Sequence, residues 1–250
     1  MSAYLPRAMH SICLLTDSTA LFPSATARTD PHLRHLPVQQ ASQRIHPPEP
    51  QQIQRIFNAL EGSFQNILVL TVAPQLLPIS ATVWQAARSY SGPATITILE
   101  TWQTGPGLGL LAQLGLQAIA AGAPLAEVED RLRAAMPHIY TLICPIDRNN
   151  ANPDLFTLFS METVSLQPYK TARTRRQLLE DLLEFIEEFE TPQQIIFFQG
   201  RPPVLRAQQL RQTTSIRFPE VSFIEMETNP TLSALFGPQT VGLTLMELPL

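Results

Sequence analysis

The run Asn66 to Val72 is apolar almost without a break, a helical pattern follows from about Leu76 to Ser89, and a second strand candidate spans Ala94 to Thr101. A strand open to water on one face alternates apolar and polar residues, whereas a strand covered on both faces reads as a continuous apolar run. Strand, helix, strand in that order is the right-handed crossover that joins parallel strands. The pattern therefore predicts an α/β protein whose N-terminal part is a doubly wound parallel sheet.

Ser11 to Thr16 reads as a further strand, ending at Thr16-Asp17-Ser18-Thr19, where side-chain oxygens can bond nearby amides. Thr26 to Pro50, rich in proline, histidine and glutamine, reads as a mostly irregular excursion with one extended piece near Leu36 to Gln39. A helix is expected from Gln51 to Leu60, with Ile53, Ile56, Phe57 and Leu60 on one face. Gly105-Pro106-Gly107-Leu108-Gly109 opens a helix to about Ala121, Gly122 stops it, and a second helix runs from Pro124 to about Ala135. Ile139 to Ile146 then begins a second α/β domain, giving an expected division into residues 1–137 and 138–250. Within it Asp147 to Asp154 reads as an exposed loop, Arg173 to Phe189 and Pro203 to Gln212 as helices, and Gln194 to Gln199, Val221 to Glu227 and Thr240 to Glu247 as strands.

Charge and cysteine usage narrow the function classes. A net charge of -4 gives no broad cationic field, which argues against nucleic acid or an anionic membrane as the main partner. Arg173, Arg175 and Arg176 form the one local basic group, read as a solvated face or a partner contact. Cys13 and Cys144 lie in apolar runs and are expected to be buried reduced thiols, which suits the cytoplasm. No secretory leader pattern or membrane-length apolar run is seen, so an exported or membrane-spanning chain is not expected.

The motifs that could carry chemistry are incomplete. Gly105, Gly107 and Gly109 stand between a strand and a helix, but the dinucleotide spacing and the P-loop lysine are missing, and Lys170 is the chain's only lysine. Close helix packing explains these glycines better. His32, His35 and His46 share the excursion without the cysteine or acidic spacing of a zinc site. Asp17 beside Ser18 lacks a linked histidine and an elbow motif, so an Asx-type turn is the favoured reading. No catalytic residue, metal or cofactor is expected. In open α/β sheets a ligand sits at the carboxyl ends of the strands, where Asp17 to Thr19, Ala73 to Gln75 and Thr101 to Thr104 should converge.

Ile12 to Ala20, reading ICLLTDSTA, resembles the first strand and Thr-Asp-Ser-Thr-Ala turn of the DegV family. NILVLTVAPQLLPISATVWQAA is similar to the family segment whose strand runs into a Ser-Ser-x-Leu-Ser-Gly-Thr loop and a helix. ITILETWQTGPGLGLLAQLGLQAIAAGAPLAEVEDRL, YKTARTRRQLLEDLL and NPTLSALFGPQTVGL resemble, in order, its glycine-opened helix, the basic approach to its second-domain helix and its C-terminal strand approach. The resemblance implies a two-domain α/β protein that buries a fatty acid between its domains and presents the carboxylate to a kinase partner. The family's head-group donors are a threonine, a serine and a histidine. The serine loop here reads Ala73-Pro74-Gln75-Leu76-Leu77-Pro78-Ile79, the histidine position falls on Leu235, and the threonine position falls on Ala41 or Ile45.

An acyl chain of about 14 methylenes at about 0.8 kcal/mol each offers on the order of 11 kcal/mol before binding costs. Each hydrogen bond to a charged group contributes about 1.5–3 kcal/mol, so an apolar tail outweighs the lost donors provided a tunnel persists. The expectation is a lipid carrier whose polar groups near the ligand are Ser18, Thr19, Gln75, Ser80 and Gln239. The rival is a structural or interaction protein whose interdomain space is filled by Leu76, Leu77, Ile79 and Leu235 in mutual contact. An enzyme in its own right is the weakest of the three readings.

Overall fold

The computed structural model describes residues 10–41, 44–146, 155–161 and 166–247. From β1 (His10–Asp17) the chain passes through α1 (Ala25–Arg28), β2 (Leu33–Leu36), the hairpin β3 (Gln39–Ala41) and β4 (Arg44–His46), and α2 (Pro50–Leu60). It continues through β5 (Phe64–Thr71), α3 (Ile79–Arg88), β6 (Thr95–Glu100), α4 (Gly105–Ala120) and α5 (Leu125–Ala135). A 3-10 turn, Met136–His138, leads to β7 (Ile139–Cys144), β8 (Phe156–Met161), β9 (Leu166–Ala172), α6 (Arg175–Glu187) and β10 (Gln194–Gln199). Then follow α7 (Ala207–Arg217), β11 (Ser222–Glu227), α8 (Pro230–Phe236) and β12 (Val241–Met246).

The first sheet has the order β2-β1-β5-β6 and is wholly parallel. The second has the order β11-β10-β12-β7-β8-β9, in which only β10 and β11 run parallel. The two faces of the first sheet are covered by different helices, which is why its central strands are apolar throughout. On one face α2 and α3 set Ile53, Phe57 and Val83 on Cys13, Leu15, Ile67 and Val69. On the other, Leu108, Leu111 and Leu116 of α4 pack on Ile12, Leu14, Leu68 and Leu70. The helix α2 starts at Pro50, where a missing amide costs nothing, and Glu49 and Gln52 cap each other's backbone.

The sequence of α4, GPGLGLLAQLGLQAIA, has no continuous polar face, and such a helix is stable only when surrounded. It lies between the two sheets, sharing one apolar cluster with Leu14 and Leu70 of the first and Ile196 and Met246 of the second. Its glycines permit that approach. A Cβ on Gly109 would stand 1.8 Å from the carbonyl oxygen of Leu21, and one on Gly107 would stand 2.3 Å from Oε1 of Gln103.

Several elements depart from the sequence reading. The Thr26 to Pro50 excursion is more ordered than expected: β2 joins the first sheet with Leu33 and Leu36 buried, a spacing that defeats strand alternation. The helix α3 begins later than Leu76 because Pro78 occupies its N-cap. Pro203 to Gln212 is not helical from its start. The Gln199 side chain accepts from the amides of Val204 and Leu205 and donates to Leu205 O, holding that stretch out of the helix until α7 begins at Ala207. The strands β8 and β9 were not anticipated; β9 carries Pro168 and pairs across a register shift. The helix α8 was also unforeseen, although Asn229 caps it and Pro230 opens it. The loop expected at 147–154 lies outside the described residues.

Gly109→Ala should lower the unfolding free energy by about 1–3 kcal/mol, the usual cost of overpacking, because a backbone oxygen rather than a flexible side chain stands in the way. Urea unfolding followed by circular dichroism measures it; an unchanged midpoint would contradict the close approach.

Candidate functional site

The carboxyl ends of the first sheet's strands face the second sheet, and the site is built from what lies on that seam. The Asp17 carboxylate organises one end. Thr19 donates to its Oδ1 from both the amide (2.9 Å) and the hydroxyl (2.6 Å), and the Val72 amide donates to Oδ2 at 2.7 Å. This is an Asx-type turn that also ties the ends of β1 and β5 together. Burial pushes the Asp17 carboxyl above its usual range, and the donated bonds from Thr19 and Val72 oppose that shift.

Across the seam, Asn229 donates to Ser18 O at 2.8 Å and to Ala20 O at 3.4 Å. A second polar tie lies further along: Gln103 donates to Ile139 O at 3.0 Å and accepts from Thr141, whose hydroxyl is 3.0 Å from that of Thr244. Between the ties is an apolar cluster. Leu21 and Leu76 reach into it from the first domain and meet Ile143, Phe198, Leu232 and Phe236 of the second, with Met161 and Leu235 packed alongside.

A cleft opens beside each end of this cluster. The first, of about 700 Å³, is lined by Ser18, Phe22, Arg28 and His35 on one wall and by Met226, Thr228, Asn229, Glu225 and Glu227 on the other. The second, of about 600 Å³, is lined by Thr101, Trp102, Gln103, Arg133, Met136, Pro137, Ile139, Tyr140 and Met161. Both volumes fall in the roughly 300–1,000 Å³ range of small-ligand sites. The hydroxyls of Thr16, Thr71 and Thr104, at the strand ends and the start of α4, are buried without a partner.

The residues predicted from sequence are spread over this region. Ser18 lines the first cleft, and its hydroxyl accepts from the Val38 amide at 3.1 Å. The Thr19 hydroxyl is buried and committed to Asp17. Gln75 is exposed in the turn after β5, Ser80 is buried in the first turn of α3, and Gln239 donates to Pro202 O at 3.3 Å. Leu76 packs against both the seam cluster, with Leu235, and the outer-face cluster that holds Leu77 and Ile79; Leu235 packs against the seam cluster. His32 bonds Ile12 O at 2.8 Å and His35 packs edge-on against Phe22; among the described residues no three histidine, cysteine or acidic side chains group to hold a metal. Arg173, Arg175 and Arg176 are exposed, Arg176 pairing with Glu180. Burial pushes the thiols of Cys13 and Cys144 up to about 12. Among the described residues no helix is long and apolar enough to cross a membrane.

A family model described as an uncharacterised protein of the DegV family matches residues 154–248. A fatty-acid-binding DegV family protein from Streptococcus agalactiae superposes with a TM-score of 0.82 at 14% identity, over 94% of this chain and 98% of the other. Residues 154–248 match the DegV family model, and the chain has the fold of these solved structures. A DegV family protein from Corynebacterium glutamicum gives a TM-score of 0.81 at 16% identity, over 95% of this chain and 97% of that one. The fatty acid kinase B3 protein of Streptococcus pneumoniae, loaded with linoleic acid, gives 0.78 at 15% identity, over 96% and 100% of the two chains. No curated protein matches by sequence. At such identities this DegV-fold chain is a divergent one.

Sequence reasoning missed Asn229, and it placed Trp102 and Gln103 only within the Thr101 to Thr104 segment expected at the strand ends, without a role for either. Asn229-Pro230 is a legible cap signal; the other two are placed by tertiary contacts alone.

Asp17→Asn puts an amide donor where three donors converge, and an unsatisfied buried donor costs about 1–3 kcal/mol. Its unfolding free energy in urea should fall by that amount; wild-type stability would show that the carboxylate is not what ties β1 to β5.

Proposed function

We propose that this protein holds a fatty acid or related lipid between its two domains, taken as residues 1–137 and 138–250, and presents it to a partner kinase. What supports the reading is the apolar seam of Leu21, Leu76, Phe198, Leu232 and Phe236, which joins the two halves and has a cleft at each end. The DegV-fold proteins from Streptococcus agalactiae and Streptococcus pneumoniae, described as fatty-acid-binding and as loaded with linoleic acid, lend it further weight.

The driving term is apolar. Each methylene withdrawn from water contributes about 0.8 kcal/mol, and the partly buried Leu76, Met161 and Leu235 are the side chains that would turn aside to admit a tail. A buried carboxylate without partners is costly, so the head group stays at a cleft, where side chains or water reach it. Of the five sequence-predicted polar residues Ser18 lines one of these two clefts; Thr19, Gln75 and Gln239 would act from the surrounding loops and Ser80 from the first turn of α3. In this reading the chain carries its ligand and does no chemistry on it; phosphoryl transfer belongs to the partner.

A second reading has one observation in its favour. Leu235, at the position of the family's histidine, packs against the seam cluster, as it would in a protein that kept the fold and lost the ligand.

Organic extraction of protein purified from its native source, with mass spectrometry, separates the two. The carrier reading predicts about one equivalent of a long-chain acid or related lipid; no stoichiometric lipid would favour the ligand-free protein.

A further inference from the structure

The inference rests on the lipid-carrier reading and deepens it by assigning the head-group end. The loop from β6 to α4 holds Trp102 at a φ of 56°, a left-handed conformation rarely adopted by bulky residues. Bonds on both sides fix it there: the Thr101 hydroxyl donates to Thr71 O and accepts from the Gln103 amide, Gln103 O accepts from the Ala73 amide, and the Gln103 side chain is tied to the second domain. The result is a tryptophan built into the wall of the second cleft, opposite Met136, Tyr140 and Met161. Methionine thioethers and an indole make an adaptable apolar wall suited to an acyl chain.

Charge separates the two clefts. The first carries both signs, Glu225 and Glu227 with Arg28 and His35, and Glu227 is paired with Arg201. The second has one charged lining residue, Arg133, at its exposed rim. Arg133 is bonded by Glu129 one helical turn back, so an incoming anion competes with that carboxylate. Met161 both lines this cleft and packs against the seam cluster, so its side chain is where the two meet.

We propose that the second cleft is the head-group end of the lipid site: a long-chain carboxylate lies against Trp102 and the methionines, its carboxylate on the Arg133 guanidinium and its tail directed past Met161. A Trp84→Phe background tests this, since Trp84 is the only other tryptophan and lies on α3 away from this cleft. Delipidated protein is titrated with 9,10-dibromostearate while Trp102 emission and, separately, calorimetric binding are followed. Saturable quenching is expected. Arg133→Ala should weaken binding about fivefold, the scale of an exposed ion pair worth about 1 kcal/mol, and Arg133→Lys should restore most of it. Glu129→Gln, which frees the guanidinium, should tighten binding about twofold. Calorimetric binding without quenching would place the lipid elsewhere and overturn this inference while leaving the carrier reading intact. Unchanged affinity in Arg133→Ala would overturn the head-group assignment, and absence of binding by both methods would overturn both.

Discussion

The structure depends on the burial of α4 between the two sheets. A helix carrying Leu108, Leu110, Leu111, Leu116 and Ile119 around most of its circumference, with Gln117 and Ala120 exposed near its end, needs cover from both sheets. The glycines bring this helix against the backbone at Leu21 and against Gln103, which fixes the first domain's ligand-end loops relative to the second sheet. The seam is therefore welded by an apolar helix at its centre, with the Asn229 bonds to Ser18 and Ala20 and the Gln103–Thr141–Thr244 chain as polar ties. A ligand entering this seam displaces side chains and does not separate the sheets.

That rigidity bears on how the fold tolerates the loss of polar loops seen in the sequence. A leucine at 235, where the resembled motif carries a histidine, forgoes about 1.5–3 kcal/mol of directional interaction and adds apolar wall. For a ligand that is mostly hydrocarbon the balance is not forfeited, because the methylene term is several times larger than any one donor. What changes is where an ionised head can sit. The first cleft is lined by charges of both signs; the second offers an indole, two thioethers and a guanidinium as its one charged group.

The parallel core was legible because its physics is local: Asn66 to Val72 reads apolar throughout, and Pro50, Gly105 and Gly122 mark helix ends on their own. The strand β2 was illegible because Leu33 and Leu36 are spaced for neither alternation nor a helix; only its pairing with β1 makes it a strand. The late start of α7 is likewise tertiary, since it depends on a Gln199 side chain from the preceding strand. At the site, the Asx turn of Asp17 could be read from Asp-Ser-Thr, but the left-handed Trp102 could not. Nothing in Thr101-Trp102-Gln103 asks for positive φ; the bonds to Thr71, Ala73 and Ile139 impose it.

The central claim is that the interdomain seam shelters a hydrocarbon chain. A crystal structure of the protein grown with oleate tests it most directly. The account predicts elongated density lying between the two sheets, with Leu76, Met161 and Leu235 turned from their ligand-free positions. A structure grown at saturating oleate with those side chains still interlocked and no density in the seam would contradict it.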